Sequence, residues 1–228
     1  MIKSSEYSLY NSFIESNFPL STYNSSENIE SKKSYYANIN KLIEVVIIYK
    51  ETKIFSEISL LILEEIRILL NKMLLYMPLN DSFILSAIIR ALTEAHIKLL
   101  ISLVELDVTE DKMRNLRFSN MKVIIDNNQF FQKYTREIEI AYAIFNDHSQ
   151  IIHNKHKSLQ NISFLDEQIS HTTIDVNKYT RIVSNLWKLE FNITLELVGA
   201  KNQDFSLAHK TKLKTYLSKK EFEYLSFL

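Results

Sequence analysis

Residues 82–106, SFILSAIIRALTEAHIKLLISLVEL, decide the fold. Wound at 3.6 residues per turn, this stretch is apolar over most of its circumference, the pattern of a helix enclosed by other helices. Arg90, Glu94, Lys98 and Glu105 interrupt it too often for a comfortable membrane span. A polar line nevertheless crosses it, with Ser82, Ser86, Arg90 and Glu94 recurring every fourth residue. Burying an unpaired guanidinium or carboxylate is costly, so Arg90 and Glu94 must either pair across one turn or face a polar cavity.

The neighbouring segments read as helices too. Residues 54–77 carry a second apolar run broken by Glu57, Glu64, Glu65, Arg67 and Lys72. Pro78 ends it by disfavouring helical backbone at the preceding residue, and Asn80 or Asp81 is placed to cap the next helix. Farther upstream, Ile39, Leu42, Ile43, Val46 and Ile47 predict a helix over 35–49, preceded by a Ser/Asn/Glu-rich loop over 17–34 and a short helix over 4–16. Downstream, 107–128 reads as irregular, 130–157 as a helix, and 156–173 as a loop crossing the bundle end. Asp175 opens a further helix with the stripe Val176, Tyr179, Val183, Leu186, Ile193 and Leu197, which Gly199 closes with a left-handed cap. Residues 204–228, with Lys210, Lys212, Lys214, Lys219 and Lys220 among Leu, Tyr and Phe, predict one last amphipathic helix.

Composition supports this reading. One Gly and two Pro in 228 residues leave almost nothing from which to build hairpins, phosphate-binding glycine loops or strand corners. The expectation is an all-α protein, an antiparallel helical bundle over 35–228 preceded by a helix and loop over 1–34. The absence of cysteine excludes disulfides, thiolate metal sites and cysteine nucleophiles. It also fits a reducing compartment, so a cytoplasmic location away from the membrane is expected. Lys plus Arg equals Asp plus Glu at 27 each, so any nucleic-acid site has to be local.

The second polar constellation is Asn146-Asp147-His148-Ser149-Gln150-Ile151-Ile152-His153-Asn154-Lys155-His156. With Lys157 it is the most basic and most titratable stretch of the chain. On a helix His148 falls with Ile144, Ile151 and Ile152, whereas Asn146, Ser149 and His153 share another side. His148 therefore reads as a core histidine, and His153 with Asn146 as the better polar site. No recognised zinc spacing, nucleophilic triad or glycine loop occurs, so no metal and no cofactor are expected. Imidazole beside a cation remains. That pair suffices for RNA cleavage without metal, because the ribose 2′-hydroxyl is an internal nucleophile.

An Arg90-Ala91-Leu92-Thr93-Glu94 helix followed about fifty residues later by Ser149-Gln150-Ile151-Ile152-His153 resembles the divergent HEPN proteins of bacterial defence and toxin systems. The resemblance covers about residues 35–199. HEPN ribonucleases carry an arginine and a histidine with four to six residues between them that form a composite site across a homodimer, and Arg90 to His96, with five between, is a literal match. It departs from the usual pattern at Ala91, where a polar residue is normal. Six positions on one unbroken helix also turn Arg90 and His96 about 120° apart.

The resemblance implies a HEPN-like core with an additional C-terminal helix, and a metal-independent endoribonuclease acting as a toxin or antiphage effector. Arg90 would hold the scissile phosphate and His153 would act as general acid or base. Glu94 and Asn146 would orient them, with His148 and His96 as further catalytic candidates. Lys155, His156, Lys157 and the Lys-rich last helix would contact the RNA backbone. It further implies an RNA substrate, a homodimer and a partner protein such as an antitoxin. The rival is a catalytically inactive interaction or scaffold subunit of a defence complex, favoured by Ala91 and by the zero net charge.

Overall fold

The computed structural model describes residues 4–25, 29–105, 109–155 and 175–227, without the side chains of 4, 154–155 and 226–227. Helices account for the described residues, with short 3-10 turns between them and no strand among them. They are α1 (Ser4–Asn17), α2 (Ile29–Glu51), α3 (Glu57–Tyr76), α4 (Ser82–Val104), α5 (Glu110–Arg114), α6 (Phe118–Asn127), α7 (Thr135–Lys155), α8 (Val176–Lys188), α9 (Thr194–Leu197), α10 (Leu207–Tyr216) and α11 (Lys219–Phe227).

Within the segment that opened the reading, Ser82–Val104 forms the central helix, α4, packed between α3 and α7. Leu85, Ile89, Leu92, Leu99 and Ile101 are fully enclosed, each contributing about 1.5–3 kcal/mol of burial. Its start is set by Asp81, whose Oδ1 accepts from the amides of Phe83 (2.8 Å) and Ile84 (3.0 Å). Asn80 takes a left-handed conformation (φ 56°) to turn the chain after Pro78, which sits in a 3-10 turn, Met77–Leu79. The opening of α2 meets the end of α3, where the Tyr35 hydroxyl donates to Met73 O at 2.9 Å. Its closing turn meets the middle of α3 through Lys50 and Glu64.

Several boundaries differ from the sequence expectation. α2 begins at Ile29, so 29–34 is helix rather than loop. The polar run is held by Glu30–Lys33 pairing (2.8 Å) and by burial of Lys32, whose ammonium donates to Ser25 O. The stretch expected to be irregular contains α5 and α6, with Met113, Met121 and Ile125 inserted into the core. The helix expected from 130 begins instead with a 3-10 turn, Gln129–Tyr134. Where one helix was expected over 204–228, the described residues hold two, α10 and α11: Ser218 and Glu221 close a reciprocal cap at the start of α11 (2.7 and 3.3 Å) and break the path. The proposed loop over 156–173 lies outside the described residues.

The helix opened by Asp175 is also interrupted, because Leu189–Ile193 widen into a π-type turn between α8 and α9. Gly199 (φ 59°) ends α9 as expected. Ala200 N bonds to Leu195 O (3.0 Å) and Gly199 N to Glu196 O (3.1 Å), a Schellman closure. No helix among the described residues is long and apolar enough to cross a membrane.

Candidate functional site on the α4–α7 seam

Arg90 leaves α4 toward α7. Its Nε donates to Ser149 Oγ at 3.1 Å, and its guanidinium carbon lies 4.8 Å from the centre of the Phe145 ring. The two partners are one turn apart on α7 and are themselves coupled, since the Ser149 hydroxyl donates to Phe145 O (2.7 Å). That bond uses the hydroxyl proton and leaves an oxygen lone pair aimed at the guanidinium. Phe118 from α6 stacks on Phe145 with ring centres 3.5 Å apart, fixing the platform. A cation over an aromatic face adds about 0.5–1 kcal/mol at a partly exposed site.

Glu94 lies one turn along α4, 3.7 Å from the Arg90 guanidinium and closer, at 3.0 Å, to Lys98. The polar line of α4 is thus a ladder of i,i+4 pairs. Its upper rung turns inward: Ser86 is buried and donates to Ser82 O at 2.6 Å. The Arg90 side chain remains 40% exposed, so its outer edge is open to an anion.

Asn146 and His153 are both exposed. They sit about 60° and 40° round α7 from Ser149. Neither makes a hydrogen bond to Arg90, Glu94 or the other. The structure therefore brings together Arg90, Glu94, Ser149 and Phe145, with Asn146 and His153 on the adjoining flank. Ser149 and Phe145 were not expected as partners of Arg90, although Ser149 shares a side with His153 in the sequence pattern. Next along α7 a cavity of about 290 Å³ is lined by Lys122, Asp126, Gln132, Thr135, Glu139 and Tyr142. Its charges are mixed, so it does not extend a phosphate-binding surface.

The other two histidines named as catalytic candidates point elsewhere. His148 is 2% exposed, and burial with Lys178 nearby pulls its pKa down to about 4. It belongs to the core, as its place beside Ile144 and Ile152 indicated. His96 is 1% exposed, on the far side of an unbroken α4 from Arg90, so the literal Arg90–His96 spacing does not assemble a site. Lys155 has no described side chain, and His156 and Lys157 lie outside the described residues. In the Lys-rich C-terminal region, Lys212 is taken by Glu44 of α2 and Lys219 lies 3.8 Å from Glu223.

His96 has a partner that sequence reasoning missed. Its Nδ1 lies 2.7 Å from Leu92 O. A carbonyl only accepts, so the proton is on Nδ1 and the lone pair of the neutral ring is on Nε2. Facing Nε2 at 3.3 Å is Oε2 of Glu190, a fully buried acid in the π-type turn. Burial pushes Glu190 up to about 8 and His96 down to about 4. Near neutrality burial thus favours the neutral carboxyl beside the neutral imidazole, and neither His96 Nε2 nor the Glu190 carboxyl has a hydrogen-bond partner among the described residues. The available signal was Glu190 itself, standing at helical spacing between Leu186 and Ile193 in an otherwise apolar stripe.

Among the described residues no three His, Asp or Glu side chains converge to hold a metal ion. In comparison with known proteins, the chain matches no family model, no curated protein and no solved structure.

Proposed function

We propose that the protein is a HEPN-like, metal-independent endoribonuclease, an antiparallel bundle that works as a homodimer and acts as a toxin or antiphage effector. The observation that carries the reading is the seating of Arg90. A half-exposed guanidinium is fixed from two sides by Ser149 and Phe145, and Ser149 lies one helical turn from the exposed His153.

In this reading Arg90 binds the scissile phosphate of RNA and offsets the charge that develops on its oxygens. His153 takes the proton from the 2′-hydroxyl. The 2′-oxygen then attacks phosphorus, the bond to the 5′-oxygen breaks, and the leaving oxygen takes up a proton. The products are a 2′,3′-cyclic phosphate and a 5′-hydroxyl. Glu94 holds Arg90 along the helix axis and Asn146 hydrogen-bonds the ribose or the imidazole. The second reading, a catalytically inactive interaction module in a defence complex, is favoured by the way Ser149, Phe145 and Glu94 already occupy Arg90.

The test is induced expression of the protein, Arg90→Ala and His153→Ala, with growth, total RNA and circular dichroism recorded for each. The expected outcome is toxicity and RNA ends carrying cyclic phosphate, made in the presence of a chelator. Each variant should lose about 100-fold or more in cleavage rate while staying equally helical. Cleavage unchanged in both variants, or no cleavage by purified wild-type protein, sinks the ribonuclease reading and leaves the interaction module.

A further inference from the structure

The outer face of α3 carries an apolar stripe that no other described residue covers. Leu61, Ile68 and Leu75 are 54%, 43% and 41% exposed, although each is a large apolar residue in a well-packed helix. They recur every seven residues, with exposed Glu65 and Lys72 between them. Over this length the stripe drifts by only about 40° around the helix, which keeps it on one side over a span of about 21 Å. The opposite face supplies Ile62, Ile66, Leu70 and Met73 to the core, so the stripe is not an exposed edge of that packing.

Its charges are unspent. Neighbouring Glu64 is tied to Arg67 and Lys50, whereas no ion pair among the described residues involves Glu65 or Lys72. Seven residues apart, the two are about 10 Å from each other along the axis and cannot meet within one helix. The pattern is instead complementary to its own reverse. Turned about a two-fold axis through Ile68, Leu61 of one copy faces Leu75 of the other, Ile68 faces Ile68, and Glu65 comes level with Lys72 to within about 1.5 Å along the axis, twice.

We propose that α3 is the seam on which two copies of this chain pair, antiparallel and two-fold symmetric about Ile68. The isologous geometry satisfies every member of the stripe with the same stripe. Parallel pairing is selected against, because it would set Glu65 against Glu65 and Lys72 against Lys72. A helix pair of this length falls short of the ~800 Å² per partner of a standard stable interface, so the dimer dissociates on dilution. The seam deepens the homodimer of the proposed function and rests on α3, whereas Arg90 turns to α7, so association is tested separately from RNA cleavage.

The chain has no cysteine, so single thiols can be placed at will. Under mild oxidation Ile68→Cys should form a disulfide-linked dimer. Leu75→Cys alone should not, because its two copies lie about 21 Å apart. Mixing Leu61→Cys with Leu75→Cys should restore the link. Val123→Cys, exposed on α6, serves as the collision control. In sedimentation runs up to millimolar protein, Glu65→Lys should shift the equilibrium toward monomer, and Glu65→Lys with Lys72→Glu should bring the dimer back. A monomer at every concentration, equal cross-linking of Ile68→Cys and Val123→Cys, or failure of the charge swap to restore association overturns the proposal.

Discussion

Replacing Glu190 by glutamine should abolish a loss of stability that the native protein suffers between pH 6.5 and 8. In the folded state the Glu190–His96 pair holds one proton from about pH 4 to about pH 8. The unfolded chain holds two below 4.5, one between 4.5 and 6.5, and none above 6.5, the ordinary values of the two groups. Stability therefore rises with pH where the unfolded state binds more protons, is level between 4.5 and 6.5, and falls above 6.5 where the folded state binds more. One unmatched proton is worth about 1.4 kcal/mol per pH unit, so the pair costs about 2 kcal/mol between pH 6.5 and about 8. For a chain of this size that is a drop of about 4–8 °C in Tm. The Glu190→Gln amide keeps the shape of the side chain but carries no titrating proton, so this contribution should vanish over the same range. Thermal melts of both proteins at pH 6.5 and 8, followed by circular dichroism, decide the matter, because every other titrating group cancels in the difference. Identical pH dependence in the two proteins would refute the assignment of a protonated carboxyl facing a neutral imidazole.

Glu221 locks α11 to the bundle: it pairs with Lys41 (2.8 Å), accepts from Trp187 Nε1 (2.6 Å) and caps its own helix at Ser218. Glu221→Ala should lower stability by about 2–3 kcal/mol. Trp187 is the only tryptophan, so its emission should shift to the red; an unchanged spectrum and Tm would show that α11 is held by apolar contacts alone. Gly199→Ala meets nothing within 4 Å but must adopt φ near 59°. It should cost about 1 kcal/mol in a denaturant titration, with no change in m-value.

The helices themselves were readable because their signals are local. The apolar period of residues 82–106, Asp81 and Asp175 as caps, and Gly199 as a left-handed stop each act within one turn of where they stand. Where the reading failed, composition outweighed local chemistry. The polar run before Tyr35 reads as loop by composition, although Glu30 and Lys33 have helical pairing. The Lys-rich composition of 204–228 reads as one helix, although Ser218-Lys219-Lys220-Glu221 is a capping box. The π-type turn at Leu189–Ile193 left no such mark: it lies against α4, while α8 before it packs on α2 and α7.

The candidate site divides in the same way. Pairing of Arg90 with Glu94 follows from a spacing of four on one helix, and the inward turn of His148 follows from its apolar neighbours at three and four. The seating of Arg90 on Ser149 and Phe145 joins residues more than fifty positions apart, and that of His96 against Glu190 joins residues ninety-four apart. Sequence alone determined that the chain, with one Gly and two Pro, is helical and which side of each helix is apolar, since helix periodicity is a property of neighbours in the chain. Tertiary structure decided which polar side chains meet across the seams and which proton each keeps. Those outcomes depend on the register of one helix against another and on the water that packing excludes.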